Sequence, residues 1–504
     1  MGISNIKDKI GIASKKVKEL PHNELSLPLE RLAELSMSQL KSTNTLERAS
    51  KSSLYQKKWR EAGIRVNEIE SYSDLVKIPF TTGKDVREAM NEHTIDSVLC
   101  SNEVVQWFST TGMTGTAKWI PYSQKDVEQF FKIRDRGNKI TPPVRNLRAM
   151  AVSSPAPFIE CGLSAFERTH AMMLNTQREG VDICLTEWEN SDAFSFVLGL
   201  KPNLLAAWPA FAAQFAEVIR EKAPAVALDN FRKQQSIRNF LEYLITRVKE
   251  INPRDISDFK WGLFGGEPLD PYRRILTESF GMEPYETYLL TEYPCGAVEC
   301  REHDGMHLWL DFGVHEIILK SELEKEAGDT SYTPKTIPLW AADDGAKGEY
   351  VFTTFGDALP LIRYRSGDLI KLISKERCKC GVTHPRIKVL RRSDSTICLG
   401  AFRIKAEQFE EKLLTDTPHG KGEKWQLEIG RKGYHIQPVI SIESHNVMDK
   451  EAFLSEISAK LKELKTLRMG IENKIILEPK LLLVDRVSDA GQSAATIGRV
   501  IYEE

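Results

Sequence analysis

The sequence predicts an α/β protein: a large N-terminal domain of layered sheets and helices, followed by a small α+β C-terminal domain. Three observations predict it. From about residue 100 to 390, short apolar runs precede longer stretches with helical periodicity, the alternation of βαβ units over a buried sheet. After about residue 390 the alternation gives way to two strand-like runs, a helix-like run and a final strand-like run. A chain of 504 residues is also too long for one ordinary compact core.

Residues 1–95 read as a helical segment packed on the large domain. Leu29, Leu32, Leu35 and Leu40 recur at helical spacing along a charged stretch. The large domain is expected over 96–390. In it AMAVSSPAP, PNLLAAWPA and FKWGLFGGEPL read as strands, and FAAQFAEVIREKA and SIRNFLEYLITRVKEI as helices. Between 295 and 375 the pattern becomes strand–turn–strand, with His303, Asp304 and Gly305 as the turn of a hairpin between VEC and MHLWLD. The small domain is expected over 391–504, with strands at WQLEIG and HIQPVISIES, one helix over KEAFLSEISAKLKELKTLRM, and KLLLVDRV as the last strand. The charged run from Arg391 to Asp394 suits a surface linker between the two.

Composition narrows the functional classes. Apolar residues at 41% and charged residues at 28% are the balance of a soluble globular protein. A net charge of −2 argues against nucleic acid, which needs a basic face to neutralise phosphates. No run approaches the ~18 apolar residues of a membrane span, and the first twenty residues lack the apolar stretch of a secretory signal. A cytoplasmic protein without a membrane partner is the expectation. Eight cysteines are sparse for this length and fit reduced thiols.

Four short motifs carry chemistry. In Ser109 to Lys118 hydroxyls and glycines interleave and a lysine closes the run; glycines let backbone N–H groups approach an anion, and hydroxyls add donors. It is not a Walker loop, because no Gly-Lys-Ser/Thr follows at the required spacing, and a plain polar loop would read the same. Gly265-Gly266-Glu267-Pro268 follows the strand WGLF, where ligands sit in open α/β sheets, although a double glycine also marks an ordinary turn. Thr291 and Glu292 end the strand-like YETYLL and suit Mg²⁺, which takes one or two protein oxygens plus substrate phosphates. Read alone, this is a strand end with a solvated glutamate. In Arg363-Tyr364-Arg365-Ser366-Gly367-Asp368 the carboxylate after a glycine turn could accept both ribose hydroxyls, or simply pair within the turn.

Taken in order, these motifs resemble the phenylacetate–CoA ligase-like branch of the adenylate-forming superfamily, which includes acyl-CoA synthetases, adenylation domains and luciferases. The resemblance runs from about residue 50 onward through TTGMTGTAK, GLFGGEPLDPYRR, YETYLLTE, LPLIRYRSGDLIKL, CKCGVTHPRI and RRSDSTICLGAFRI. It implies ATP-dependent activation of an aryl or small acyl carboxylic acid to an acyl-adenylate with release of pyrophosphate. The acyl group then passes to an acceptor, by family default the thiol of CoA. An amine is the rival acceptor, and a non-catalytic nucleotide-binding homologue is the rival of another class. Thr110, Thr111, Gly112, Thr114, Gly115 and Lys118 would line the ATP phosphates. Gly266, Glu267 and Pro268 would flank the adenine with Tyr288 against its ring. Thr291 and Glu292 would serve the α-phosphate and Mg²⁺, Asp368 would bind the ribose, and Arg365 joins it among the cofactor-binding residues. Arg392 would stand at the hinge of a mobile C-terminal domain and approach the nucleotide. Trp208, Phe211 and Phe264 are candidates for the acyl pocket, with core packing the simpler role for each. The resemblance also makes a homodimer the expected assembly.

Two departures stand out. The family's C-terminal lysine, which contacts carboxylate and α-phosphate, falls at Thr496, so that another cation (Arg499, Lys405 or Lys118) would have to serve, or the first half-reaction is slow or lost. The stretch 153–185 lacks an expected glycine-rich run in the region that shapes the acyl pocket, so phenylacetate need not be the acid. Separately, Cys378 and Cys380 form C-x-C in a turn-like segment. A hairpin closing on Asp304-Gly305 would bring Cys300 roughly opposite His307, completing a tetrahedral structural Zn²⁺ site, with His303 and His384 as rival ligands.

Overall fold

The computed structural model describes residues 24–92, 98–101, 103–109, 118–142, 149–153, 180–184, 202–329, 331–392, 396–415, 424–443, 449–487 and 498–502. The N-terminal segment forms the helices Leu29–Ser42, Ser53–Glu61 and Gly83–Glu92. Leu32, Ser36 and Leu40, four residues apart, make the buried stripe of the first. Ser36 Oγ donates to the Gly313 carbonyl at 2.7 Å, which ties that stripe to the large sheet. Tyr55 and Trp59 of the second helix share an apolar core with Phe312, Ile317 and Phe352.

Strands are numbered in chain order. β1 is Val104–Ser109, β2 Trp119–Ser123, β3 Ala149–Ser153, β4 Gly180–Cys184, β5 Leu204–Ala207, β6 Trp261–Phe264 and β7 Glu283–Leu290. β8 is Tyr293–Glu299, β9 Met306–Leu308, β10 Gly313–Leu319, β11 Thr336–Pro338, β12 Lys347–Thr354, β13 Tyr364–Ser374 and β14 Arg386–Arg392. Among the described residues one twelve-stranded sheet has the order β11-β10-β12-β13-β14-β9-β8-β7-β6-β5-β3-β4. From β4 to β7 its strands are parallel, and from β7 onward the described pairings are antiparallel. β7 is therefore the strand at which direction reverses, and β8 and β9 form the expected hairpin around Asp304-Gly305.

The parallel half is covered by the helix Pro209–Gln234. Proline at its first position suits the missing N–H there, and Phe211, Phe215 and Ile219 are buried. Ile237–Val248 follows as a second helix.

The small C-terminal unit begins with the strand that follows β14. β15 (Thr396–Leu399) and β16 (Phe402–Lys405) make a hairpin. β17 (Trp425–Lys432), β18 (His435–Glu443), β19 (Lys480–Val484) and β20 (Gly498–Tyr502) form a four-stranded sheet in the order β19-β18-β17-β20. Two expectations are corrected. The single helix expected over residues 450–469 is two, Lys450–Glu463 and Lys465–Glu472, because Leu464 takes an extended ψ of 104° between them. KLLLVDRV is not the last strand, since β20 pairs in parallel with the central β17. The unit shares its apolar core with the helix Pro209–Gln234: Phe402 meets Phe211 edge-on at 6.3 Å, and Tyr434 donates to Glu217 at 2.6 Å.

Candidate active site and metal centre

Two clusters of polar side chains stand side by side across β7 and β13. Glu292 lies in the tight turn between β7 and β8, and Lys118 directly precedes β2. The Lys118 ammonium pairs with Glu292 Oε1 and donates to the Tyr364 hydroxyl at 2.8 Å. That hydroxyl donates in turn to Glu292 Oε1 at 3.0 Å. The Lys118 and Glu292 side chains are only 10% and 9% exposed, so the pair is held in a low-dielectric setting where charges act strongly. Burial works against both charges, but each outweighs it for the other: the ammonium stays above the usual lysine range and the carboxyl below the usual carboxylate range. Burial and the Glu292 charge push the Tyr364 phenol up to about 12. Gly83 gives this cluster room, since a Cβ there would lie 3.0 Å from Lys118 Nζ and 3.3 Å from the Tyr364 hydroxyl. Thr291 lends its carbonyl to the Tyr122 hydroxyl at 2.8 Å. A cleft lined by Ile120, Tyr122, Asp126, Glu292, Thr354 and Leu359 opens alongside.

The second cluster centres on Asp368. Its Oδ2 accepts from the Tyr288 hydroxyl at 2.7 Å, and its Oδ1 accepts from Arg392 Nη1 at 2.9 Å. Burial, then the Asp368 charge, hold the Tyr288 phenol well above its ordinary range. Arg392 also donates to the Ser366 carbonyl at 2.8 Å. Gly367, at a φ of +71°, leaves space for this guanidinium, which a Cβ would strike.

The predicted residues divide. Lys118 and Glu292 come together, as do Tyr288, Asp368 and Arg392. Thr110, Thr111, Gly112, Thr114 and Gly115 lie outside the described residues, as does Thr496. Gly266 and Pro268 form the turn after β6. Gly266 has a φ of +88°, and a Cβ on it would meet the Trp208 indole at 2.7 Å. The side chains of two other predicted residues are engaged within the protein. Glu267 is turned into the protein: it accepts from the Ala210 N–H at 2.9 Å, capping the helix Pro209–Gln234, and from the Tyr272 hydroxyl at 2.8 Å. A desolvated carboxylate is best placed at a helix N-terminus, and burial raises its pKa. Arg365 is committed to Glu326 and Glu349, both at 2.6 Å, and braces the turn from behind. Trp208, Phe211 and Phe264 are core residues. Tyr364 is a site residue without a signal in the sequence, because a tyrosine inside Arg-Tyr-Arg gives no outward sign of its partner 246 residues upstream.

The four predicted sulfur and nitrogen ligands also converge. The ligating atoms of Cys300, His307, Cys378 and Cys380 all lie within 4.8 Å of one another. Cys300 and Cys378 Sγ are 3.8 Å apart, and Cys380 Sγ is 3.4 Å from His307 Nε2. With Zn–S of about 2.3 Å and Zn–N of about 2.0–2.1 Å, a tetrahedron has edges of roughly 3.8 and 3.5 Å, so the donor set fits Zn²⁺. His307 Nδ1 donates to the His384 carbonyl at 3.1 Å, which fixes the tautomer with Nε2 free to ligate. The rival ligands are engaged elsewhere. His384 accepts from the Leu310 N–H at 3.1 Å through Nδ1, and His303 pairs with Glu283 at 2.9 Å.

No family model matches the chain. It is 23% identical over 441 residues to the phenylacetate-coenzyme A ligase of Pseudomonas putida, covering 84% of this chain and 85% of that one. It is 23% identical over 468 residues to the Thermus thermophilus phenylacetate-coenzyme A ligase, covering 89% and 91%. Among solved structures it is similar to a 2-hydroxyisobutyryl-CoA ligase in complex with 2-HIB-AMP and CoA, with a TM-score of 0.64 at 18% identity over 95% of this chain and 92% of that one. It is also similar to the GH3.15 acyl acid amido synthetase, with a TM-score of 0.53 at 13% identity over 94% and 90%. These structural likenesses speak for the fold. The sequence alignments extend over most of both partners, further than a shared phosphate loop could carry them, so the chain is similar along most of its length to phenylacetate–coenzyme A ligases.

Proposed function

We propose that this chain is an AMP-forming carboxylate ligase that converts an aryl or small acyl acid to its acyl-adenylate with release of pyrophosphate, then passes the acyl group to an acceptor, by preference CoA. The observation that carries the reading is a pair of side-chain hydrogen bonds that links β7 and the turn after it to β13. Tyr364 and Asp368 stand four residues apart on β13, and they are joined to Glu292 in the turn after β7 and to Tyr288 on β7 as Glu292–Tyr364 and Tyr288–Asp368. Four strand residues span about 13 Å, a separation that a nucleoside triphosphate bridges from ribose to polyphosphate.

In this reading Asp368 accepts the ribose hydroxyls, and Lys118 turns its ammonium to the phosphates. Glu292 and the Thr291 turn serve the α-phosphate and the magnesium, and Arg392 approaches the nucleotide from the hinge. Mg²⁺, when bound, neutralises phosphate charge as pyrophosphate departs. The carboxylate oxygen attacks the α-phosphorus, the bond to the pyrophosphate oxygen breaks, and positioning and charge stabilisation do the rest. The thioester then forms as the CoA sulfur attacks the acyl carbonyl and AMP leaves. Cys300, His307, Cys378 and Cys380 would hold a Zn²⁺ that ties the β8–β9 hairpin to the Cys378–Cys380 turn, a structural rather than a catalytic role. Among the described residues no helix is long and apolar enough to cross a membrane.

The test is pyrophosphate release from Mg·ATP with a panel of aryl and aliphatic acids, with CoA or hydroxylamine as acceptor. Acid-dependent release that falls at least 100-fold in Glu292→Gln is expected, since a group that stabilises transition-state charge is worth that much. Faster acyl transfer to hydroxylamine than to CoA would move the reading to amide formation. ATP binding without release for any acid would leave a nucleotide-binding homologue.

A further inference from the structure

The ion pair at the phosphate end of the site raises a question of order: what a divalent cation meets at Glu292 before a nucleotide arrives. We propose that Lys118 is a resident counter-ion which keeps divalent cations off Glu292 until a polyphosphate draws the lysine away, so that metal and nucleotide enter this site only together. The inference rests on the adenylating reading for the identity of the polyphosphate, and on geometry for the exclusion itself.

Glu292 Oε1, the oxygen nearest the site's two donors, is engaged twice, by the Lys118 ammonium and by the Tyr364 hydroxyl. A divalent ion ligated there would stand beside a buried positive charge, and like charges at contact in a site shielded from water repel strongly. Removing the ammonium without replacing its charge is also costly, because it strands a buried carboxylate. A cation and a polyphosphate together resolve both conditions. The phosphates offer Lys118 a second, more strongly charged partner, and the cation replaces the lysine at Glu292.

Tyr364 makes the exchange orderly. Its hydroxyl accepts from Lys118 and donates to Glu292, so when the lysine leaves, Glu292 keeps one donor and its orientation. The ring is fixed independently of the ligand. Thr81 pairs with Tyr364 as an isolated bridge, with Thr81 N donating to the Arg363 carbonyl at 3.1 Å and Arg365 N to the Thr81 carbonyl at 2.9 Å. Phe352 packs on the ring at 5.3 Å. Tyr364 is accordingly a positioning residue for the metal-binding carboxylate.

The experiment is a Mn²⁺ titration of the full chain without nucleotide, read by electron paramagnetic resonance of free Mn²⁺, on wild type and on Glu292→Gln, Lys118→Met, Lys118→Arg and the Lys118→Met/Glu292→Gln double variant. Wild type and Glu292→Gln are expected to give the same titration, since Glu292 holds no cation in either. Lys118→Met is expected to bind one Mn²⁺ at least tenfold more tightly than wild type. The double variant loses that site, and Lys118→Arg, which keeps the charge, excludes the ion as wild type does. A wild-type Mn²⁺ site that Glu292→Gln abolishes overturns the proposal, and this comparison stands even if Lys118→Met fails to fold. Equal Mn²⁺ affinity in wild type and Lys118→Met also overturns it. The titration involves no acid and no turnover, so exclusion without acid-dependent pyrophosphate release would sink the adenylating reading alone, and release without exclusion would sink the counter-ion alone.

Discussion

Glu286, in the middle of β7 beneath the turn that follows β6, is a carboxylate without a cation of its own in the contacts around it. It is 6% exposed. Its Oε1 accepts from the Leu269 N–H at 3.3 Å, and its own N–H donates to Glu299 at 2.8 Å. The nearby guanidinium of Arg273 is spent on Glu299 at 2.7 Å and Asp270 at 2.8 Å. Burial first, then the Glu299 and Asp270 charges, push the Glu286 carboxyl up to about 7. Relative to its ordinary value of 4.5, that difference is worth on the order of 3 kcal/mol. Because the folded value lies above the unfolded one, this stability is fully present below about pH 4.5 and is lost as pH rises through 7. Glu286→Gln keeps an acceptor for the Leu269 N–H and cannot ionise. Urea unfolding of wild type and variant at pH 5, 6, 7 and 8 checks this. The variant is expected to gain about 3 kcal/mol on wild type between pH 5 and pH 8. Parallel profiles across that range would refute the reasoning, because they would mean that the carboxylate ionises inside the fold at no cost.

Two further outcomes follow from the site. Cys380→Ser removes one of four donors, so the purified chain is expected to lose zinc, measured by atomic emission, and to melt several degrees lower; a wild type that carries no metal and melts like the variant would count against a structural site. Asp368→Asn keeps the shape and an acceptor but weakens the pairing with Arg392 and the ribose, so KM for ATP is expected to rise about tenfold, the effect of losing roughly one charged hydrogen bond, with a smaller change in kcat; an unchanged KM would take Asp368 out of the ribose site.

Legibility in the sequence followed the range of the interactions. β5 and β6 were readable because LLAA and WGLF are apolar runs bounded by proline, tryptophan and glycine, which mark strand ends locally. The cysteine cluster was readable because a C-x-C turn and a hairpin each close over a few residues. The break at Leu464 was not: leucine is a good helix former, and the helices on either side pack on different parts of the small unit. Nor was the role of Glu267, which depends on a helix N-terminus 57 residues upstream. Tyr364 shows the same limit more sharply. Its neighbours in sequence are arginines, and its function comes from two side chains delivered by other elements.

β14 has a property that concerns alignment. At its first residue, Arg386 stands opposite His307 of β9, one of the four metal-cluster residues; at its last, Arg392 stands opposite Asp368 of β13. Strand side chains alternate faces, so a slip of one residue would turn every one of them over. The partners along β14 already include two irregular steps against β13, where a ladder is least able to hold its own count. The cysteine–histidine cluster thus works as a register pin. It fastens one end of a seven-residue ruler, and the other end keeps its arginine on Asp368 some 20 Å away.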